Sequence, residues 1–136
     1  MKKLGLIGGT GPESTLIYYK KIVYGANAIV GKEFFPNIAI DSINVFDVLR
    51  LCSEKKYDEL INYIMNSIHS LVAAGCNLIS LTGNTPHIVF DELQKKSSVP
   101  LVSIIKATQE EASKQGLKKI GLLGTRFTME EDFFKK

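Results

Sequence analysis

Residues 78–90 constrain the fold more than any other stretch. A short apolar run, Leu-Ile-Ser-Leu, passes into Thr-Gly-Asn-Thr, and Pro86 then opens a new apolar-periodic segment. The run is too short for a helix, so the stretch reads as strand, loop and helix start. Thr85 sits where a helix N-cap belongs, and Pro86 suits the first helical position because its missing amide would go unbonded there anyway. The first helical amides and the Asn84 amide face this loop. Two readings fit: an ordinary capped turn, or a site for a carboxylate or phosphate, the ligands that a helix N-terminus favours.

The same unit recurs along the chain. Residues 3–8 form an expected strand, and the glycine-rich turn 9–14 leads into a helix with Pro12 near its start. Leu16, Tyr19, Ile22, Val23, Ala26 and Ile29 recur there at helical spacing, and Gly31 closes the helix. A second strand covers 38–43 and ends at Asn44, and a short helix over 45–51 carries Arg50. From Tyr57, the residues Leu60, Ile61, Ile64, Ile68, Leu71 and Val72 mark one helical face that stops at Gly75. Beyond the central stretch the pattern predicts a helix over 86–96, a strand over 101–105, a helix over 106–115 and a strand over 119–123. A capping box from Thr128 to Glu131 then opens a last helix. Strands alternating with helices predict an α/β fold with a parallel sheet and helices on both faces. Ligands of such sheets bind outside the carboxyl ends of the strands, which gathers Thr10, Asn44, Asn84, Thr85, Thr125 and Thr128 on one edge.

Lys3-Leu4-Gly5-Leu6-Ile7-Gly8 returns as Lys119-Ile120-Gly121-Leu122-Leu123-Gly124. A repeated strand-turn start predicts duplicated lobes, the first over 1–105 and the beginning of an incomplete second over 106–136. One strand and one helix cannot bury their own apolar faces, so 119–136 is expected to pack poorly or through a partner chain.

At 136 residues, 45% hydrophobic and 23% charged, the composition is that of a globular domain. The net charge of +3 comes largely from dispersed lysine pairs, a pattern of solvated surface rather than of a nucleic-acid site. Cys52 and Cys76 lack metal-ligand spacing and read as small buried hydrophobes. Neither a signal peptide nor a membrane-spanning run is visible, so a cytoplasmic location away from membranes is expected.

The motifs Gly-Leu-Ile-Gly-Gly-Thr-Gly-Pro-Glu-Ser-Thr at 5–15, Gly-Asn-Thr-Pro-His at 83–87 and Gly-Leu-Leu-Gly-Thr-Arg-Phe-Thr-Met at 121–129 resemble cofactor-independent aspartate/glutamate racemases. The resemblance covers essentially the whole chain. It implies two flavodoxin-like α/β lobes with the active site between them, a homodimer, no cofactor and an acidic amino acid, aspartate or glutamate, as substrate. Racemisation removes the α-proton on one face and returns one on the other, so two acid/base groups must flank the substrate. In the family both are cysteines, whose thiolates are favoured by positive surroundings and helix N-termini.

The first of these begins a Cys-Asn-Thr motif, and Gly83 stands at its position here. The second belongs to a part of the other lobe absent from this chain. By resemblance Asn84, Thr85 and Thr10 contact the substrate from the first lobe, and Thr125 and Thr128 from the second. Arg50 is the candidate for the side-chain carboxylate, because a guanidinium grips carboxylates bidentately. His87 lies within the helix start and reads as a packing residue rather than a replacement base.

An impaired racemase is therefore expected. The alternatives are a one-cysteine relative, such as the malonate decarboxylases that also resemble this pattern with glycine at the first thiol position, and a non-catalytic binder of acidic metabolites. A nucleotide site is disfavoured, since Pro12 removes an amide donor and Glu13 would face a pyrophosphate with like charge.

Overall fold

Four parallel strands, β1 (Leu4–Gly8), β2 (Ile38–Ser42), β3 (Leu78–Leu81) and β4 (Leu101–Val102), lie in the order β2-β1-β3-β4. They belong to a computed structural model that describes residues 2–31 and 33–134. The outer limits expected for the two lobes, residues 1 and 136, fall outside the described residues. Helices α1 (Pro12–Val30), α2 (Val45–Ser53), α3 (Tyr57–Ala73), α4 (Phe90–Lys96), α5 (Ile104–Lys114) and α6 (Arg126–Glu130) fill the connections. The chain is an α/β fold, as the alternating pattern predicts.

The order places β1 at a topological switch point. The chain leaves β1 for β2 on one side and later passes from β2 across to β3 on the other, so right-handed crossovers put α1 and α3 on opposite faces. A crevice opens outside the carboxyl ends of strands flanking such a switch. Those ends are the turns after Gly8 and after Leu81.

Alternation along β3 decides how the two faces are filled. Ile79 and Leu81 join Ile7, Ile64, Ile68, Leu60 and Leu93 in the main core, all 5% exposed or less. Ser80 turns to the other face, where it borders a groove of about 440 Å³ with Tyr18 of α1, Val102, and Ile104 and Ala112 of α5. The first face is densely filled, whereas α5 stands partly off the second.

Several elements differ from expectation. Helix α1 forms over the expected residues but buries only Thr15 and Val23; Leu16, Tyr19 and Ile29 of its predicted apolar face are 64%, 46% and 88% exposed. β4 ends at Val102 because the Ser103 side chain accepts a hydrogen bond from the Lys106 amide at 3.3 Å and starts α5 at Ile104. The helix expected over 86–96 is split into a 3-10 turn, Thr85–Val89, and α4. No side chain caps that turn, and its first amides tighten to i→i+3 bonding, His87 N–H to the Asn84 carbonyl at 2.9 Å.

The strand expected at 119–123 is irregular backbone that pairs with none of the four strands. An isolated strand leaves its backbone groups without ladder partners, so the motif alone cannot hold it extended. The capping box expected at Thr128 is displaced too. Thr125 caps α6 by accepting from the Thr128 amide, and Thr128 itself is fully buried at the third helical position.

Candidate functional site

The two turns beside the switch point are bonded to each other. Thr82 continues the β3 ladder, its amide donating to the Ile7 carbonyl at 3.0 Å and its hydroxyl to the same oxygen at 3.1 Å. Its hydroxyl also lies 2.9 Å from that of Thr15, which accepts from the Gly9 amide at 3.1 Å. Ser14 completes the joint by donating to the Thr82 carbonyl at 3.0 Å. Gly9 is required here: its φ of 84° is left-handed, and a Cβ would collide with the Ile43 carbonyl. Ser14, Thr15 and Thr82 were not singled out in the sequence. Ser14 and Thr15 lie in the 5–15 motif with no role attached to them there, and only the register of β1 with β3 reveals what they and Thr82 do.

This joint brings Thr10 against Gly83. A Cβ built on Gly83 would overlap the Thr10 hydroxyl and lie 3.0 Å from the Thr10 Cβ. The Thr10 Oγ1 is buried and has no hydrogen-bond partner among the described residues, an arrangement that costs about 1–3 kcal/mol unless a ligand completes it. Thr10 thus fills the volume that a side chain at position 83 would need.

Thr85 is buried, and its hydroxyl lies 2.9 Å from that of Thr125, which is 3.2 Å from Thr128 Oγ1. The expected N-cap role of Thr85 is therefore replaced by a bond across to α6. Phe127 packs against the main core beside this contact. Asn84 precedes Thr85, half-buried, and its side chain makes no capping bond. Thr10, Gly83, Asn84, Thr85, Thr125 and Thr128 therefore form one chain of neighbours at the carboxyl edge.

Arg50 and Asn44 are engaged elsewhere. Arg50 lies on α2 with its side chain 50% exposed, between Asp47 at 3.4 Å and Glu54 at 3.6 Å. Asn44 caps α2, accepting from the Phe46 amide at 3.1 Å.

His87 is 3% exposed and bonded through both ring nitrogens, Nδ1 to the Gly83 carbonyl at 3.0 Å and Nε2 to the Ile104 amide at 3.1 Å. Its ring stacks on Phe90 at 5.1 Å. Burial pushes its pKa down to about 4, against a smaller opposing effect of the backbone bonds. A packing role fits the expectation, while the span from Gly83 to α5 was invisible in a sequence where the bonded residues lie far apart.

Both cysteines are buried. Cys52 is buried in α2, where burial and then the nearby Glu131 carboxylate push its thiol up to about 11. Cys76 is buried before β3, at the opposite end of the sheet from Gly83. Among the described residues no His, Cys, Asp and Glu group could hold a metal, and no helix is long and apolar enough to cross a membrane.

The profile of the Asp/Glu/Hydantoin racemase family matches residues 7–136. Over 140 aligned residues the chain is 29% identical to the broad specificity amino-acid racemase RacX of Bacillus subtilis, covering 98% of this chain and 59% of that protein. It is 32% identical over 97 residues to the glutamate racemase of Exiguobacterium sibiricum, 69% of this chain and 36% of that protein. An aspartate racemase homologue from Pyrococcus horikoshii, known from its crystal structure, superposes with a TM-score of 0.84 at 43% identity, over 98% of this chain and 58% of that one. The chain thus spans well under two thirds of the length of each of these proteins.

Proposed function

The chain belongs to the Asp/Glu/Hydantoin racemase family, and from that premise we propose that residues 83–85, with Thr10 and Thr125, hold an acidic amino acid for cofactor-independent racemisation. The observation that carries this reading is the meeting of Thr10, Gly83 and Thr85 with Thr125 beside the sheet's switch point. The Thr10, Thr85 and Thr125 hydroxyls and the Asn84 amide supply uncharged donors. Such donors suit a carboxylate whose charge grows towards the enolate when the α-proton leaves. No proton transfer starts from Gly83, because hydrogen in place of a side chain offers no acceptor. The first acid/base of the two-thiol mechanism is thus missing, and buried Cys52 and Cys76 do not replace it.

In this reading residues 1–105 are the first lobe and 106–136 the start of the second. A homodimer goes with it, and the exposed Leu16, Ile17, Tyr24 and Ile29 of α1 supply apolar surface for such contact. Arg50, half-exposed on α2 between Asp47 and Glu54, stays the candidate for the side-chain carboxylate. Titrating L-aspartate, L-glutamate and L-lysine into 15N-labelled protein tests the proposal. Saturable shifts of the Asn84, Thr85 and Thr125 amides with the two acidic amino acids, and not with lysine, are expected. Equal responses to lysine, or none at these amides, would refute it.

A further inference from the structure

We propose that His87 is the positioning residue of this site, fixing the Gly83 carbonyl and with it the Asn84 and Thr85 groups against the first turn of α5. The inference rests on the acidic-amino-acid reading of residues 83–85 and deepens it.

The Ile104 amide can only donate, so Nε2, 3.1 Å away, must present its lone pair. The single proton of the neutral ring is therefore on Nδ1, which donates to the Gly83 carbonyl at 3.0 Å. Both partners are backbone groups, so this tautomer is set by the chain trace and not by another rotatable side chain. Turning the ring over would put carbon where each nitrogen now stands and lose both bonds. A charged ring would set an N–H against the Ile104 N–H.

The residue holds the loop at consecutive positions. Its ring bonds the Gly83 carbonyl, and its own amide bonds the Asn84 carbonyl at 2.9 Å. Both peptide units leading into Thr85 are thereby oriented, and Thr85 carries the hydroxyl that meets Thr125. On the other side, Ile104 is the first residue of α5, the helix through which the chain runs on to Thr125. The stack on Phe90, with planes 1° apart, leaves the imidazole little freedom to tilt.

The test separates positioning from packing by comparing three variants. His87→Asn keeps a donor near the Nδ1 position, His87→Gln reaches instead towards Ile104, and His87→Phe keeps the stacked ring without either bond. In the unmodified protein, ring 15N spectra are expected to show a proton on Nδ1, a bare Nε2 and no titration between pH 5 and pH 8. L-aspartate affinity, read from the Asn84 and Thr85 amides, is expected to stay within about threefold for His87→Asn and to weaken about tenfold for His87→Gln and His87→Phe. Amides of β1 and β3 monitor folding in the same spectra. Should His87→Phe fail to fold, the comparison of the Asn and Gln variants decides.

An Nε2-protonated ring, or equal affinity in the Asn and Gln variants, would overturn the proposal. If aspartate binds none of the proteins, the acidic-amino-acid reading fails. His87 is then judged from the free proteins: Asn84 and Thr85 amide shifts kept in His87→Asn and displaced in His87→Gln support positioning, and unmoved shifts in both overturn it.

Discussion

Residues 3–8 and 119–124 are nearly the same hexapeptide, yet one carries a central, enclosed strand and the other is irregular. In the first copy, β1 is bonded on both sides, to β2 and to β3, and Leu6 and Ile7 are 0% and 1% exposed. In the second copy no ladder forms, and Ile120 and Leu123 are 60% and 87% exposed. The apolar pattern is common to both, so the neighbours decide the conformation. A strand of this composition becomes stable only when flanking strands take up its backbone groups and helices cover its side chains. The second copy is followed by α6, which docks through Phe127 and the Thr85 to Thr125 contact, so the region is anchored beyond the motif and loose at it.

The largest expected effect sets the two copies directly against each other. Leu6→Ala should destabilise the protein by about 4 kcal/mol, because it removes a fully buried side chain from between strand and helix. Leu123→Ala should change stability by less than about 0.5 kcal/mol. Urea unfolding of both variants measures this, and a Leu123→Ala loss approaching that of Leu6→Ala would mean that the second copy is packed after all.

The next effect concerns His87, the link between loop 83–85 and α5. Its folded pKa of about 4 lies below the ordinary 6.5, so the unfolded chain takes up a proton that the folded protein refuses. The stability contributed by the neutral ring is complete above pH 6.5 and is lost as pH falls towards 4, by roughly 3 kcal/mol in all. Asp91 of α4 and Lys106 of α5 border the cavity beside the ring. Urea midpoints between pH 7 and pH 4.5 should fall more steeply for the unmodified protein than for His87→Phe.

A smaller effect is expected where Thr10 and Gly83 meet. Gly83→Cys should cost about 1–2 kcal/mol, because the new Cβ overlaps the Thr10 hydroxyl and that side chain must turn away. Adding Thr10→Ala should recover most of this loss, so thermal unfolding of the single and double variants reads the coupling between the positions. Smaller again, Thr125→Ala removes both the α6 cap and the bond to Thr85. Local opening at the Thr128 amide should become easier by about 1 kcal/mol in hydrogen exchange, while the β1 amides stay protected.

Legibility followed the same division between local and distant causes. The strands at 4–8, 38–42 and 78–81, the helices from Pro12 to Ala73 and the glycine stop at Gly75 were readable because apolar period and left-handed glycine are properties of neighbouring residues. The parallel topology puts Thr10, Asn44, Asn84, Thr85, Thr125 and Thr128 on one edge, and the resemblance adds Gly83. What stayed hidden depended on contacts across the chain. Thr85 looks like a cap until Thr125 takes its hydroxyl, Thr128 looks like a cap until Thr125 displaces it, and His87 looks like a helix residue until both ring nitrogens find backbone partners. Helix α1 shows the converse, since its apolar period predicts a buried face that the described residues do not cover.

The central proposal is that Gly83 leaves the first acid/base missing in a site that still holds its ligand. Incubating the protein with L-aspartate in heavy water and following the α-proton by NMR tests this most directly. The account predicts shifts of the Asn84 and Thr85 amides with no loss of the α-proton signal; deuterium entering the α-carbon with formation of D-aspartate would contradict it.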